Sequence, residues 1–502
     1  MKTSPMEHQA AGLLKSENKV NFAYLMEQGT GKTWLTLADT ERLYEAGRVD
    51  ALLVVAPKGV HTNWARREIP THLSIESKVL VWKGNPTTKK AKKEVEDFYA
   101  PWRLDRKRPL MVFTINIDAI NSKNGYEACE RFLSEFTALM VIDESTRIKN
   151  AKAQRTKKAI ELGKLARARR ILSGTPMPKA PYDLFSQFSF LKKGLIGHTS
   201  LVAFMNEFTV LLQAHDPEMQ AIMRGLGGKV YGIPQVVKKD DRGRPMFKNL
   251  DKLARLIEPH SFRALKSDCL DLPPKVYKPT YFELTKSQRD IYATLELDYE
   301  YQHDDSDLGV SESLSFAAIA ARTKMKQVTS GFINVYGEPV LLKPEDNPRM
   351  AAFKEVVDSL EDTWDYDTQF IVWAMYDEEI KHICEELERR GILYRQYTGS
   401  TSDADRELAI DDFQNGRYQC FVGNPAAAGI GLTLTAAECA IYYSCSYDNE
   451  LRLQSEDRCH RIGTKKTVTY YDLIAEDTID EEIMRSLSGK SYVAGVVLDG
   501  KK

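Results

Sequence analysis

Met26-Glu-Gln-Gly29-Thr-Gly31-Lys32-Thr33 follows the apolar run Phe22–Leu25 and opens a helical stretch, Trp34–Tyr44. Strand, glycine-bearing loop and helix in that order form a phosphate-binding site. Glycines let the backbone turn tightly, so that its N–H groups surround phosphate oxygens, and the helix N-terminus adds a favourable dipole. Gly29, Thr30 and Gly31 form the loop, Lys32 is expected to reach the β- and γ-phosphates of the ligand, and Thr33 to give its hydroxyl to Mg²⁺. The stretch matches the G-x-G-K-T half of the phosphate-loop pattern; Met26 stands where the strict form has its first glycine.

Further along the chain, Val141-Ile-Asp143-Glu144 ends another apolar run in two carboxylates. An acid at the end of a buried strand is costly unless it has a task. Here Asp143 suits the Mg²⁺ shell, and Glu144 suits the orientation and deprotonation of an attacking water.

The fold class follows from the surroundings of these two motifs. Ala51–Ala56, Leu110–Thr114 and Leu139–Asp143 are continuous apolar runs separated by helical stretches, and Phe370–Trp373, Gln419–Val422, Cys439–Tyr443 and Val468–Tyr471 repeat the habit downstream. Runs of this kind suit strands buried on both faces of a parallel sheet. Their alternation with helices predicts an α/β protein with two doubly wound sheets. Between them, from about Leu191 to Pro348, turns at Gly225–Gly228 and Gly243–Pro245 and helical periodicity at Lys286–Asp298 and Phe316–Val328 read as helical elaboration. Pro273-Pro274 suits a break between the two lobes.

With 502 residues, 43% of them hydrophobic, the chain can bury full-sized cores. No apolar run approaches the ~18 residues of a membrane span, and Met1–Gln9 lacks a signal-peptide core, which predicts a soluble protein, cytoplasmic in a bacterial or phage setting and nuclear in a eukaryotic one. Seven cysteines are scattered with no C-x-x-C pair; they read as reduced thiols and not as a disulfide frame or zinc site. The net charge of −1 argues at first against a nucleic-acid partner. Yet between Arg147 and Arg170 ten Lys/Arg stand against a single Glu, directly after the acidic motif, while acidic clusters lie elsewhere, at Asp304–Asp307, Glu361–Asp367 and Glu476–Glu482.

Arg147-Ile-Lys149-Asn150 is followed by Leu172-Ser173-Gly174-Thr175-Pro176, and far downstream by Gln454-Ser-Glu-Asp457-Arg458-Cys-His460-Arg461-Ile-Gly463. In this order the motifs resemble superfamily-two helicase-like motors, and more narrowly the Swi/Snf type of DNA translocase. Asp143–Asn150 is similar to that group's acidic box with its R-I-K-N extension, and Arg458–Gly463 to its R-x-H-R-I-G motif. Leu265-Lys-Ser-Asp268 with Leu272-Pro-Pro-Lys275 is similar to its inter-lobe signature, and Thr478–Ile483 to its T-I-E-E-x-I ending.

The resemblance implies two tandem RecA-like P-loop NTPase lobes with helical insertions between and around them. The first would be residues 1–270, with a helical protrusion from about 191; the second 271–502, with a helical insertion at about 285–348 and a C-terminal brace. It implies that Gln9 reads adenine, that Lys58 (with Asn63-Trp64) and Thr114 contact DNA, and that Arg147 and Lys149 extend that surface. Ser173 and Thr175 would link nucleotide state to DNA grip. Tyr397–Ser400, with Thr398 and Gly399, and Arg406 would be second-lobe contacts, joined by Gly429 and Gly431. Gln454, Arg458 and Arg461 would form the far wall of the ATP site, the arginines acting as fingers.

The chain departs from the pattern at Ser145-Thr146, where the group has A/G-H, and at Asn424–Leu434, where Ala426 replaces an arginine and Ala428 a glycine. The expected activity is ATP-driven movement on double-stranded or branched DNA, with ATP and Mg²⁺ as cofactors. A strand-separating helicase on DNA or RNA is the alternative.

Overall fold

A computed structural model describes the chain except residues 102–107, 218, 221–222, 224–234, 241–244, 305–311, 336–337, 343–345, 363–367, 400, 429–431, 462, 465 and 500–502; side chains are also left undescribed at 298–304, 312–319, 335, 338–339, 341, 403–404, 407, 428 and 488–492. The turn expected at Gly225–Gly228, and parts of the turn at Gly243–Pro245 and of the acidic clusters at Asp304–Asp307 and Glu361–Asp367, lie outside the described residues. Among those described, no helix is long and apolar enough to cross a membrane.

The chain divides into two compact units. One comprises Met1–Thr209, Phe247–Asp271 and Tyr492–Lys502; the other comprises Val210–Met246 and Leu272–Ser491.

The first unit is built on β1 (Asn21–Met26), β2 (Ala51–Ala56), β3 (Ser77–Val81), β4 (Leu110–Asn116), β5 (Ala138–Asp143), β6 (Ala168–Leu172) and β7 (Ser261–Ala264). They form one sheet in the order β3-β4-β2-β5-β6-β1-β7, parallel throughout. The apolar runs are continuous because both faces are covered. On β2, Leu53 and Val55 face one core with Phe113 and Ile142, while Leu52 and Val54 face the other with Val112 and Val141. Successive strand residues point to opposite faces, so a doubly covered strand has no polar positions to spare.

The second unit carries β8 (Lys275–Phe282), an antiparallel pair β9 (Phe332–Val335) and β10 (Glu338–Leu341), then β11 (Gln369–Trp373), β12 (Tyr394–Tyr397), β13 (Cys420–Gly423), β14 (Ala437–Tyr442) and β15 (Val468–Ala475). Its main sheet runs β12-β13-β11-β14-β15-β8 and is also parallel. Phe370 and Val372 of β11 enter one core, Ile371 and Trp373 the other. The α/β reading with doubly wound parallel sheets therefore holds for both units.

The middle of the chain is less purely helical than its periodicity suggests. It holds the helices Leu201–Phe208, Leu250–Ile257, Lys286–Asp304 and Glu312–Thr329, but it also supplies one of the two rim strands of each main sheet, β7 and β8. On β8, Val276, Tyr277 and Tyr281 are exposed, and Pro279 sits at the centre, opposite Asp472 of β15.

A buried ion pair braces the first sheet behind the phosphate loop. Arg170 and Asp39 are both fully buried, with Arg170 Nε donating to Asp39 Oδ2 at 2.7 Å. Arg42 binds the other carboxylate oxygen at 2.5 Å, and the Tyr24 hydroxyl donates to Oδ2 at 3.0 Å. Further Arg170 N–H groups cap the carbonyls of Val20 and Lys19 at 2.7 and 3.0 Å. Arg169 lies half-buried and donates to Phe190 and Leu191. The last two cations of the Arg147–Arg170 run thus face inward: Asp39 and carbonyl groups wait there, and a satisfied arginine is cheaper inside than its charge suggests.

Candidate functional site

Four loops of the first unit gather at the C-terminal ends of β1, β2, β5 and β6, the edge at which open parallel sheets bind ligands. After β1, Gly29 and Gly31 take left-handed backbone angles, φ 81° and 83°. Gly31 also has no room for a side chain, because a Cβ there would stand 2.0 Å from Gln9 Nε2. Gln9 is buried; its amide oxygen accepts from Met6 N at 2.9 Å and its Nε2 donates to Thr30 O at 3.3 Å. The residue expected to read adenine thus also fixes the loop. Thr30 ties its hydroxyl to Glu27 O at 2.7 Å. Lys32 begins the Lys32–Glu45 helix and folds its ammonium over the loop, donating to Met26 O at 2.9 Å and Glu27 O at 3.3 Å. Thr33 follows in the first turn, half-buried.

After β5, Asp143 is 7% exposed. Burial raises its carboxyl above the usual carboxylate range, against the opposing effects of the Trp64 hydrogen bond, the Lys32 charge and the Glu144 N–H. A shielded carboxylate beside the phosphate loop fits Mg²⁺, which is held through one or two carboxylates plus phosphate oxygens and needs no all-protein cage. Glu144 stands at φ 51° and ψ 61°, a left-handed position that a non-glycine residue holds only under constraint, as at active sites. Gln28 of the phosphate loop donates to its Oε1 at 3.4 Å.

Trp64 corrects the expectation that it lies with Lys58 on a nucleic-acid surface. It is 1% exposed, and its indole donates to Asp143 Oδ2 at 2.8 Å. The segment widens to a single π-helical turn at Trp64–Glu68, a feature frequent at functional sites. Lys58, after β2, is exposed as expected. Thr114 is fully buried, and its hydroxyl has no partner among the described residues. A phosphate contact needs surface that it lacks.

After β6, Gly174 packs on the phosphate loop: a Cβ there would lie 3.2 Å from the backbone nitrogen of Gln28. Ser173 is buried and accepts from Thr175 N at 3.2 Å; the Thr175 hydroxyl is enclosed without a partner among the described residues. Gln187, which the sequence does not flag, joins this loop to the acidic box. Ser145 Oγ donates to its Oε1 at 2.7 Å, and its Nε2 donates to Pro176 O at 2.6 Å. Ser145 belongs to the pair that stands where the resembling group has A/G-H, so the departure comes with its own fully buried partner. Arg147 is exposed and Lys149 half-buried, with Lys152, Lys157, Lys164 and Arg167 exposed beyond them.

In the second unit the Asn449–Cys459 helix carries Gln454 and Arg458, both buried, with Arg461 two residues past its end. Gln454 donates to Glu450 at 3.2 Å. Arg458 Nη1 and Arg461 Nη1 converge on Leu432 O at 3.4 and 3.3 Å, and Arg461 reaches Thr433 Oγ1 at 2.9 Å.

The helix itself is held by Glu456. Lys275 donates to Glu456 Oε2 at 2.9 Å, Tyr277 to the same oxygen at 2.8 Å, and Arg452 to Oε1 at 2.6 Å. Burial alone would raise this carboxyl; Lys275 and then Arg452 overcome it and hold the pKa down to about 2. His460 Nε2 lies 2.7 Å from Pro273 O. The Leu272–Lys275 signature therefore grips the helix that bears the arginines, a role its spacing alone does not reveal.

Thr398 is buried and Gly399 exposed. Arg406 turns onto this loop, donating to Thr398 O at 2.9 Å and Gly399 O at 3.2 Å. Ser400, Gly429 and Gly431 lie outside the described residues.

Residues 12–339 match the SNF2-related domain and residues 351–463 the helicase conserved C-terminal domain. Curated relatives include the SWI/SNF-related matrix-associated actin-dependent regulator of chromatin subfamily A-like protein 1 of Xenopus tropicalis, 25% identical over 88% of this chain and 40% of that protein. The DNA excision repair protein CSB of rice is 24% identical over 94% of this chain and 39% of its own length. An uncharacterized ATP-dependent helicase of Mycoplasma pneumoniae is 25% identical over 72% and 30%. The chain spans less than half the length of these relatives. Among solved structures, the Sulfolobus solfataricus SWI2/SNF2 ATPase core in complex with dsDNA aligns over 100% of this chain and 94% of that one, with 21% identity and a TM-score of 0.39.

Proposed function

The chain belongs to the SNF2-related family, and from that premise we propose that it is an ATP hydrolase that converts turnover into movement along double-stranded DNA. One observation carries the reading: Lys32, Asp143, Glu144 and the Ser173–Pro176 loop collect at one edge of one sheet, with Lys32 close enough to oppose the raised pKa of Asp143. That is the donor set for a nucleoside triphosphate and its metal.

In the proposed cycle, the N–H groups of Gly29–Thr33 bind the phosphates and Lys32 leaves its carbonyl partners for the β- and γ-phosphates. Thr33 and Asp143 would hold Mg²⁺, and the bound ion would supply neutralisation of charge on the phosphates. Glu144 orients the attacking water and accepts its proton. Arg458 and Arg461, released from Leu432, stabilise the charge of the transferring phosphoryl group, an effect typically worth ~10³–10⁵ in rate for an arginine finger. Repeated gripping and release then moves the chain along its track.

Duplex DNA is supported by the family and by relatives named for DNA repair and chromatin regulation. The exposed cations Lys58, Arg147 and Lys152 suit phosphate contacts, which hold any sequence and weaken with salt.

The deciding experiment compares ATPase rates with duplex, single-stranded and branched DNA and with RNA. Duplex is expected to stimulate at least as well as single strands, and the motor to displace a third strand from a triplex without separating a plain forked duplex. Stimulation by single strands or RNA only, with robust unwinding of a tailed duplex, would overturn the translocase in favour of a helicase.

A further inference from the structure

Arg263 on β7 joins pieces of the chain that are far apart in sequence. Its Nε donates to Asp499 Oδ1 at 2.7 Å. Its Nη1 donates to Leu25 O at 3.1 Å and Gly174 O at 3.2 Å, and its Nη2 stands 4.0 Å from Glu27 Oε1. Leu25 leads into the phosphate loop, Glu27 is the loop's first residue, and Gly174 centres the loop packed against it. The Glu27 carboxylate also takes the backbone N–H of Lys266 at 2.7 Å. Arg263 and Asp499 are only 18% and 11% exposed, so their hydrogen bonds are charge-assisted and largely shielded from water.

Asp499 closes the C-terminal helix, Ile479–Asp499. A carboxylate in a last turn opposes the helix dipole, and Arg263 supplies the cation that offsets it. The helix starts in the second unit, where Asp480 pairs with the buried Arg349; its last residues, from Tyr492 on, belong to the first unit. Beside this end lies a cavity of about 240 Å³ lined in part by Leu25, Ile257, Val497 and Leu498. Val497 is nonetheless buried in the first unit's core, with Val493, Ala494 and Leu498 packed against it, so apolar contact docks the helix end and the ion pair orients the guanidinium.

We propose that Arg263 is a positioning residue through which the docked end of the C-terminal helix sets the phosphate loop. With Asp499 in place, the guanidinium is aimed and draws the carbonyls of Leu25 and Gly174 together, which holds the loop N–H groups ready for a triphosphate. Without the Asp499 carboxylate the guanidinium loses its anchor and the loop loosens. Nucleotide affinity in the first unit thereby depends on the Arg263–Asp499 pair within it. The proposal rests on the reading of Gly29–Thr33 as the nucleotide site.

The test uses the full chain as wild type, Asp499→Asn, Asp499→Glu, Arg263→Gln and Lys32→Ala. Binding of a fluorescent ATP analogue, the kcat and KM of turnover, and thermal melting are measured on each. Asp499→Asn and Arg263→Gln are expected to weaken nucleotide binding and raise KM about fivefold or more, a typical coupling between sites. Asp499→Glu should keep wild-type affinity, and kcat at saturating ATP should fall less than KM rises. A folded Asp499→Asn protein with wild-type affinity would overturn the proposal, as would lower kcat and melting temperature at unchanged KM, the pattern of a purely structural pair. If Arg263→Gln does not fold, Asp499→Asn decides, since it alters only the far side of the pair. A wild type that does not bind the analogue, or binds it equally well after Lys32→Ala, defeats the nucleotide-site reading itself and the proposal with it.

Discussion

The indole N–H of Trp64 donates to the carboxylate of Asp143 at 2.8 Å, linking a segment beside the exposed Lys58 to the acid proposed to hold magnesium. Trp64→Phe keeps an aromatic ring in the core and removes the donor. The bond favours the charged carboxylate, so its loss raises the pKa of Asp143 further and weakens its hold on a cation. The expected result is a several-fold higher Mg²⁺ requirement for ATP turnover in a folded protein, read from Mg²⁺ titration of the ATPase. An unchanged requirement would leave Trp64 as packing only.

Glu144→Gln retains the size and the left-handed turn of the residue but cannot accept a proton. The variant should bind ATP at near wild-type affinity and hydrolyse it very slowly, because general-base catalysis alone is worth about 10²–10⁴. Binding and single-turnover measurements separate the two. Loss of nucleotide binding would contradict the role given to Glu144.

Arg458 and Arg461 share one acceptor, the carbonyl of Leu432. Arg461→Ala should lower kcat by orders of magnitude with little change in ATP affinity, since its contact with phosphate forms in the transition state. Arg461→Lys preserves charge but not the planar fork, so it should recover only part of the rate. A pure KM effect would assign Arg461 to ground-state binding.

Glu456 predicts a pH response. Its folded pKa, held to about 2 by Lys275 and Arg452 despite burial, lies below the ordinary value of a glutamate. Its contribution is therefore complete above the unfolded pKa and is lost as pH falls from about 4.5 toward 2. The span is worth on the order of 3 kcal/mol. Lys275→Met removes the first of the two cations, raises the carboxyl and narrows that window. Acid unfolding followed by circular dichroism should move to higher pH. Coincident acid transitions in variant and wild type would refute the assignment.

Local chemistry made the phosphate loop, the acidic box and the doubly buried strands legible. Each is written in consecutive residues: glycines for left-handed turns, an acid closing an apolar run, apolar residues on both strand faces. What stayed hidden depends on partners far away in sequence. Arg170 reads as surface charge until Asp39 is placed opposite it, and Glu456 reads as a solvated helix position until Lys275 and Arg452 meet it. Trp64 falls in a motif-like stretch next to Lys58, yet the helix turns it the other way. The rim strands β3, β7, β8 and β12 escape notice because they are short or only half covered, so their residues carry no continuous apolar run.

Pro279, at the centre of β8, bears on how the protein behaves in company with its own copies. A rim strand exposes a row of N–H and C=O groups on which another extended chain can lengthen the sheet, a route into fibrils and amorphous aggregates. With Val276, Tyr277 and Tyr281 exposed along it, β8 has the composition that invites such growth. Proline removes a donor from the middle of the row, and the exposed Lys278 beside it places positive charge there. Pro279→Val should leave turnover intact while making concentrated solutions scatter light on gentle warming, and equal clarity of the two proteins would show that the guard lies elsewhere.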